Sequence, residues 1–270
     1  MIKVLFNNYV AKVDYITFPG GEEHVTIKKP IAVDPSEVVV VVRPTSAKLR
    51  EQLDLIVDAI RNMLVGVKYN LVVHFEYLPF ARQDRVANHG ECFSLKKYAE
   101  RINALKADAV IVDDCHSNVG LALIDNVVHR DFIFQMVVDS EIYNQFLEDN
   151  TVILAPDAGA VKNAHAVAKK VGGIPVISSD KIRDTKTGDI LGTKLNFSAE
   201  DIDGKNVIIA DDICDGGRTF IEISKAIKSA GFSPKALKLV VTHGIFSKGR
   251  ELLEEYFDKV YAVHDWTKEK

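Results

Sequence analysis

The 270-residue chain is 47% hydrophobic and sets 34 Lys+Arg against 38 Asp+Glu, a formal net charge of -4. That is apolar content for one large α/β domain or two small ones, and the lack of a net basic field argues against nucleic acid as a partner. Cys92, Cys115 and Cys214 lie too far apart for a disulfide framework or a zinc site, and the N-terminus shows no basic-then-apolar leader. A cytoplasmic chain with no membrane partner is therefore expected.

Taken in chain order, apolar runs predict strands at Ile2–Phe6, Val25–Ile27 and Val38–Val42, a helix at Ala47–Leu64, and a strand at Leu71–Phe75. A helix at Leu95–Leu105, a strand at Ala109–Val112 and a helix at Glu141–Phe146 follow. Next come a strand at Val152–Leu154, a helix at Ala160–Val171, and strands at Pro175–Ile177 and Val207–Ala210. The chain closes with a helix at Thr219–Ala230, a strand at Leu237–Val241, a helix at Lys248–Tyr256 and a strand at Lys259–Ala262. Strands alternating with amphipathic helices imply an α/β fold with mainly parallel sheets flanked by helices. Thr187-Gly188-Asp189, close to Gly192, marks a mobile hairpin or loop.

Val110-Ile-Val-Asp-Asp-Cys-His-Ser117 is echoed by Ile208-Ile-Ala-Asp-Asp-Ile-Cys-Asp215, each an apolar strand ending in paired aspartates. The echo suggests two similar α/β halves, residues 1–135 and 136–270, with the last strand either in its own half or returned to the first. Chance likeness between two parallel strands would give the same echo.

The most informative stretch is Val207–Thr219. Its four apolar residues suit a strand buried on both faces, and Asp211, Asp212 and Asp215 fall at the carboxyl end, where open α/β sheets bind ligands. Gly216, Gly217, Arg218 and Thr219 then lead into a helix, so their N–H groups suit an anion. The same residues also suit an ordinary βα turn in which Asp215 caps the helix.

Four further segments carry polar residues that a fold alone does not require. Arg82, Gln83, Asp84 and Arg85 follow a strand, where arginines suit triphosphate oxygens or a base, or else form a solvated charge cluster. His116 lies just past another strand, as a metal ligand, a phosphate partner or a structural histidine. Asp157, in Ala155-Pro-Asp-Ala-Gly-Ala160, leads into a helix and is either a Mg²⁺ carboxylate or a cap. Lys181 and Arg183 alternate along an extended segment and project to one side, either over a transferring phosphoryl group or along an exposed hairpin edge.

In this order, Phe18-Pro-Gly-Gly-Glu22, Ala81-Arg-Gln-Asp-Arg85, His116, Pro156-Asp-Ala-Gly159, Lys181-x-Arg183, Asp211-Asp212 and Thr242-His-Gly-Ile-Phe-Ser247 resemble the ribose-phosphate diphosphokinases, or phosphoribosyl pyrophosphate (PRPP) synthetases. The resemblance implies two halves of the type I phosphoribosyltransferase fold and an Mg²⁺-dependent transfer of the β,γ-pyrophosphoryl group of ATP to the 1-hydroxyl of ribose 5-phosphate, giving PRPP and AMP. It implies that Asp211 and Asp212 hold the ribose hydroxyls and that Asp215, Gly216, Gly217, Arg218 and Thr219 hold the 5-phosphate. Arg82, Gln83, Asp84 and Arg85 would meet ATP, with Phe18 and Glu22 reaching adenine across the subunit interface of a homo-oligomer built on dimers. His116 and Asp157 match the Mg²⁺ site, Asp157 also facing the ribose-phosphate, while Lys181, Arg183 and His116 match the catalytic groups.

Three departures stand out. The segment after His116 is trimmed where the family carries part of an allosteric site, and Gly20 stands where Asp or Asn is usual. Arg218 replaces a small residue in the phosphate loop, and a long cation there suits a larger 5-substituted ribose such as ADP-ribose, with product destined for NAD synthesis. A phosphoribosyltransferase would need a base-binding hood rather than the 82–85 loop. A non-catalytic regulatory homologue would be expected to lack Lys181-x-Arg183 or the paired aspartates.

Overall fold

The computed structural model describes residues 2–30, 34–43, 47–183 and 190–268, with the side chains of 47–50, 181–183, 190 and 191 excepted. The chain forms two compact units, Met1–Asp131 and Phe132–Lys270. The predicted loop at 187–189 lies outside the described residues.

In the first unit the strands are β1 (Ile2–Phe6), β2 (Tyr9–Val10), β3 (Lys12–Thr17), β4 (Glu23–Lys28), β5 (Glu37–Val42), β6 (Asn70–Phe75), β7 (Ala109–Asp113) and β8 (Val127–Arg130). Helix α1 (Ala47–Met63) links β5 to β6, α2 (Ser94–Ala104) links β6 to β7, and α3 (Asn118–Leu123) links β7 to β8. The sheet order is β2-β1-β5-β6-β7-β8, with β5 to β8 parallel and β1 antiparallel to β2 and β5. Strand β5 alternates inward and outward, so Val38, Val40 and Val42 pack against Ile56, Ile60 and Phe75. The expected strand at Val25–Ile27 is half of a separate β3–β4 ribbon, because Lys12–Thr17 pairs with it through backbone bonds that its polar sequence does not advertise.

The second unit contains α4 (Phe132–Val138), α5 (Ser140–Phe146), β9 (Thr151–Ala155), α6 (Val161–Lys170), β10 (Val176–Arg183), β11 (Ile190–Leu195) and α7 (Ala199–Ile202). It continues with β12 (Asn206–Cys214), α8 (Arg218–Ser229), β13 (Ala236–Gly244), α9 (Glu251–Glu254) and β14 (Lys259–Asp265). The order is β11-β10-β9-β12-β13-β14, parallel throughout except for β11. Helices cover both faces of this sheet. Val207 and Ile209 of β12 pack into one core with Ile223 and Leu253, while Ile208 and Ala210 pack into the other with Val167 and Met136. Burying each branched side chain contributes about 1.5–3 kcal/mol, so a two-faced strand such as β12 rigidly supports the residues at its carboxyl end.

Three expectations change. Strand β14 stays beside β13, in register from Lys238↔Lys259 to Gly244↔Asp265, and does not return to the first unit. The helix expected at Lys248–Tyr256 is confined to Glu251–Glu254, because Gly249 takes a left-handed φ of 88° and the residues before it form a turn. The paired aspartates of β7 and β12 occupy different places: β7 is one strand in from its sheet's last edge and β12 two strands in. By position β7 corresponds to β13, so the local echo does not trace the likeness between the halves.

Candidate functional site

In the second unit, β12 carries its ladder with β13 as far as Cys214, and the carboxylates emerge where the apolar support ends. Asp211 and Asp212 keep part of their surface open beside a cleft lined by Phe132, Ala160, Ala164 and Ala210. Asp212 N–H donates to Asp211 Oδ1 at 3.0 Å. The packed protein around Asp211 strips water from its carboxyl, and the charges of Asp212 and Asp157 add to this, so its pKa is raised well above the ordinary carboxylate range.

Past Cys214 the chain turns through Asp215, Gly216 and Gly217 into α8. The helix N-cap falls on Gly217, with φ 75°, rather than on Asp215. A Cβ at Gly217 would stand 2.8 Å from Leu253 Cδ2, so both conformation and space require glycine. The capping residue has no side chain to offer, and the first turn of a twelve-residue helix therefore begins beside a loop in which Gly216 and Gly217 add no side chain. Arg218 projects from this turn and is exposed, whereas Thr219 is half-buried.

Asp157 sits at the end of β9, and its Oδ1 accepts from Gly159 N–H at 3.0 Å and Ala160 N–H at 3.2 Å. The carboxylate thus orders the turn before α6, while its charge reaches Asp211. The structure brings Asp157, Asp211 and Asp212 together at neighbouring strand ends. Lys181 and Arg183 lie in β10, paired in register with Thr193 and Ile190 of β11, so their backbone is an extended hairpin. Cys214 is buried, and burial pushes its thiol up to about 12, which leaves no thiolate nucleophile there at neutral pH.

In the first unit, Arg82, Gln83, Asp84 and Arg85 follow β6 in a loop anchored by buried Leu78 and Ala81. Gln83 N–H donates to the Phe80 carbonyl at 2.8 Å, and Leu95 N–H to the Gln83 carbonyl at 3.3 Å, which ties the loop to the start of α2. Arg82, Gln83 and Arg85 are exposed. Phe18, 49% exposed, and Glu22 sit at the tip of the β3–β4 ribbon, closed by a Phe18 N–H bond to the Glu22 carbonyl at 2.8 Å.

His116 is exposed just past β7. Its loop is held by residues that no local pattern singles out. His74 Nε2 lies 2.9 Å from buried Asp113 Oδ2, and Cys115 N–H donates to His129 Nε2 at 3.1 Å. An Nε2 that accepts is unprotonated, and burial lowers the His129 pKa further against the pull of Asp131 and Asp113. These partners come from β6 and β8, so only the fold reveals them.

His116 and Asp157 belong to different units, and among the described residues no group of three or more His, Cys, Asp or Glu side chains is arranged to hold a metal by itself. Asp157 by itself offers the kind of carboxylate that Mg²⁺ takes, a hard ion that binds through one or two such groups while keeping waters and substrate phosphates as its other ligands. No helix among the described residues is long and apolar enough to cross a membrane.

A family model described as the phosphoribosyl transferase domain matches residues 138–268. The ribose-phosphate pyrophosphokinase of Thermosipho africanus is 28% identical over 249 residues, 90% of this chain and 75% of that protein. Its counterpart in Pyrococcus furiosus is 29% identical over 263 residues, 94% of this chain and 86% of that protein. Among solved structures, phosphoribosylpyrophosphate synthetase from Mycobacterium smegmatis superposes with a TM-score of 0.74 at 22% identity, covering 92% of this chain and 78% of that one. The last likeness is one of fold.

Proposed function

We propose that the chain is a member of the ribose-phosphate pyrophosphokinase family, to which relatives 28% and 29% identical over most of its length belong, and that it transfers the β,γ-pyrophosphoryl group of Mg-ATP to the 1-hydroxyl of ribose 5-phosphate, giving PRPP and AMP. The observation that carries this reading is the end of β12: two carboxylates suited to vicinal hydroxyls, followed directly by a glycine-walled loop opening α8, suited to a phosphate. The spacing fits a sugar bearing an anion.

In the reaction the acceptor oxygen bonds to the β-phosphorus, the bond from that phosphorus to the α,β-bridging oxygen breaks, and AMP leaves. Such a transfer needs in-line positioning and charge stabilisation rather than a covalent nucleophile. Asp211 and Asp212 hold the ribose hydroxyls, and the 215–219 loop fixes the 5-phosphate. Arg82, Gln83, Asp84 and Arg85 hold ATP, with Phe18 and Glu22 at the adenine of a neighbouring subunit in a homo-oligomer. Lys181 and Arg183 serve the charge that develops on the phosphoryl oxygens, and His116 is counted with the catalytic groups. Asp157 and His116 are the residues that would hold Mg²⁺, which neutralises phosphoryl charge when bound.

Arg218 favours a second reading. An exposed guanidinium at the first position of α8 adds positive charge where a terminal monophosphate would already be enclosed by the loop, and it suits a longer 5-substituent such as the diphosphate of ADP-ribose. Incubation with Mg-ATP and each sugar separately, with products resolved by mass, decides between them. The first reading expects ribose 5-phosphate to gain a pyrophosphate, and the second expects this of ADP-ribose only.

A further inference from the structure

We infer that Lys248 is a substrate-binding residue that contributes positive charge to the acceptor's 5-phosphate, an inference that rests on the phosphate role proposed for the 215–219 loop. It lies 30 residues beyond Arg218, in the stretch expected to be helical. That stretch is instead a turn bound along the loop. Ile245 and Phe246 N–H donate to the Cys214 carbonyl at 2.9 and 3.2 Å, and Ser247 N–H donates to the Asp215 carbonyl at 3.2 Å. Phe246, at a left-handed φ of 48°, is buried and anchors the turn, with the Arg250 guanidinium 5.9 Å from the centre of its ring.

From this fixed backbone the Lys248 stem lies across Gly216. Its Cδ, Cε and Cγ stand 3.6, 3.7 and 3.8 Å from the place a Cβ on Gly216 would occupy, ordinary van der Waals contact. The ammonium is one bond beyond Cε, at the wall of the loop. Among the described residues no carboxylate pairs with it, and Glu251 bends over Gly249 instead. A lysine stem laid across a glycine of a loop that leads into a helix N-terminus carries its charge to that loop, where it is placed to meet an anion. Together with Arg218 it puts two cations at the loop of a chain whose formal net charge is -4.

Three variants separate charge from packing. Lys248→Met keeps the stem and removes the charge, Lys248→Arg keeps the charge, and Lys248→Ala removes both. With ribose 5-phosphate or ADP-ribose, whichever the wild type turns over, Lys248→Met should raise KM about tenfold and leave kcat within about twofold, the loss of one charge-assisted contact at an open site. Lys248→Arg should stay within about threefold of wild type, and ribose lacking a phosphate should not distinguish Lys248→Met from wild type. Calorimetric titration with the same two phosphorylated sugars reads the contact without turnover, so a failed reaction and a failed contact are told apart. About tenfold weaker binding to Lys248→Met supports the inference even if no product forms. Affinities within twofold of wild type, or equal losses with ribose and ribose 5-phosphate, overturn it.

Discussion

Lys181→Ala should lower kcat by about two to three orders of magnitude while the Kd for ATP stays within about threefold of wild type, the pattern expected when a preorganised cation acts on charge that develops only in the transition state. Lys181 and Arg183 stand two residues apart in β10, which continues beyond its parallel pairing with β9 into an antiparallel hairpin with β11. Both cations are thus carried on a backbone element that runs past the parallel sheet. Single-turnover kinetics with equilibrium ATP binding make the check. A variant that loses ATP affinity and turnover in parallel assigns Lys181 to ground-state binding, and unchanged turnover removes it from the mechanism.

Asp211→Asn should weaken acceptor use about ten- to a hundredfold and, in the same protein without ligands, raise thermal stability. The two effects have one cause. Burial, with Asp212 and Asp157 nearby, raises the folded-state pKa of Asp211, so folding favours the protonated carboxyl. The stability this provides is full below the unfolded carboxyl value of about 3.9 and is lost as pH rises through the raised folded value. At neutral pH that stabilisation is lost and the raised pKa weighs on the unliganded protein, and asparagine, which keeps the oxygen that accepts from Asp212 N–H, removes the burden. Melting curves in EDTA should show Asp211→Asn above wild type at pH 7.5, with the gap closing toward pH 4. Adding Mg²⁺ and acceptor should reverse the order at pH 7.5. A variant no more stable than wild type in EDTA would show that the carboxylate cluster carries no such burden.

How far the sequence alone reached depends on whether the information was local. Val207–Ala210 was legible as a doubly buried strand because four apolar residues in a row leave no polar face, and both faces of β12 are covered. The glycines after it were legible because Gly217 has no substitute at φ 75° against Leu253. Lys12–Thr17 was not legible: Lys12 and Asp14 interrupt its apolar residues, and its pairing with β4 comes from backbone bonds. Phe132–Val138 is a single short helix of mostly apolar residues without a polar stripe to set its period. The aspartate echo between β7 and β12 misled because identical chemistry at a strand's end says nothing about the strand's place in the sheet. His129 behind Cys115 and Lys248 over Gly216 escaped because each meets its partner only after the chain has folded back.

The paired aspartates and the glycines are legible in residue order, whereas the groups packed behind or across them are set only by the fold. The Asp215 cap was a fair reading of the sequence, and it gives way because the N-cap position belongs to Gly217. That shift matters for chemistry. A glycine at the N-cap position brings no side chain or charge of its own to the helix N-terminus, where the backbone N–H groups favour an anion.

The central claim, transfer of a pyrophosphoryl rather than a phosphoryl group, is tested most directly by following ATP consumption by phosphorus NMR in the presence of Mg²⁺ and the accepted sugar. AMP should appear in one-to-one ratio with a product carrying a new diphosphate ester on carbon 1. Release of ADP with a monophosphate ester, or AMP accompanied by free pyrophosphate and unchanged sugar, would contradict the account.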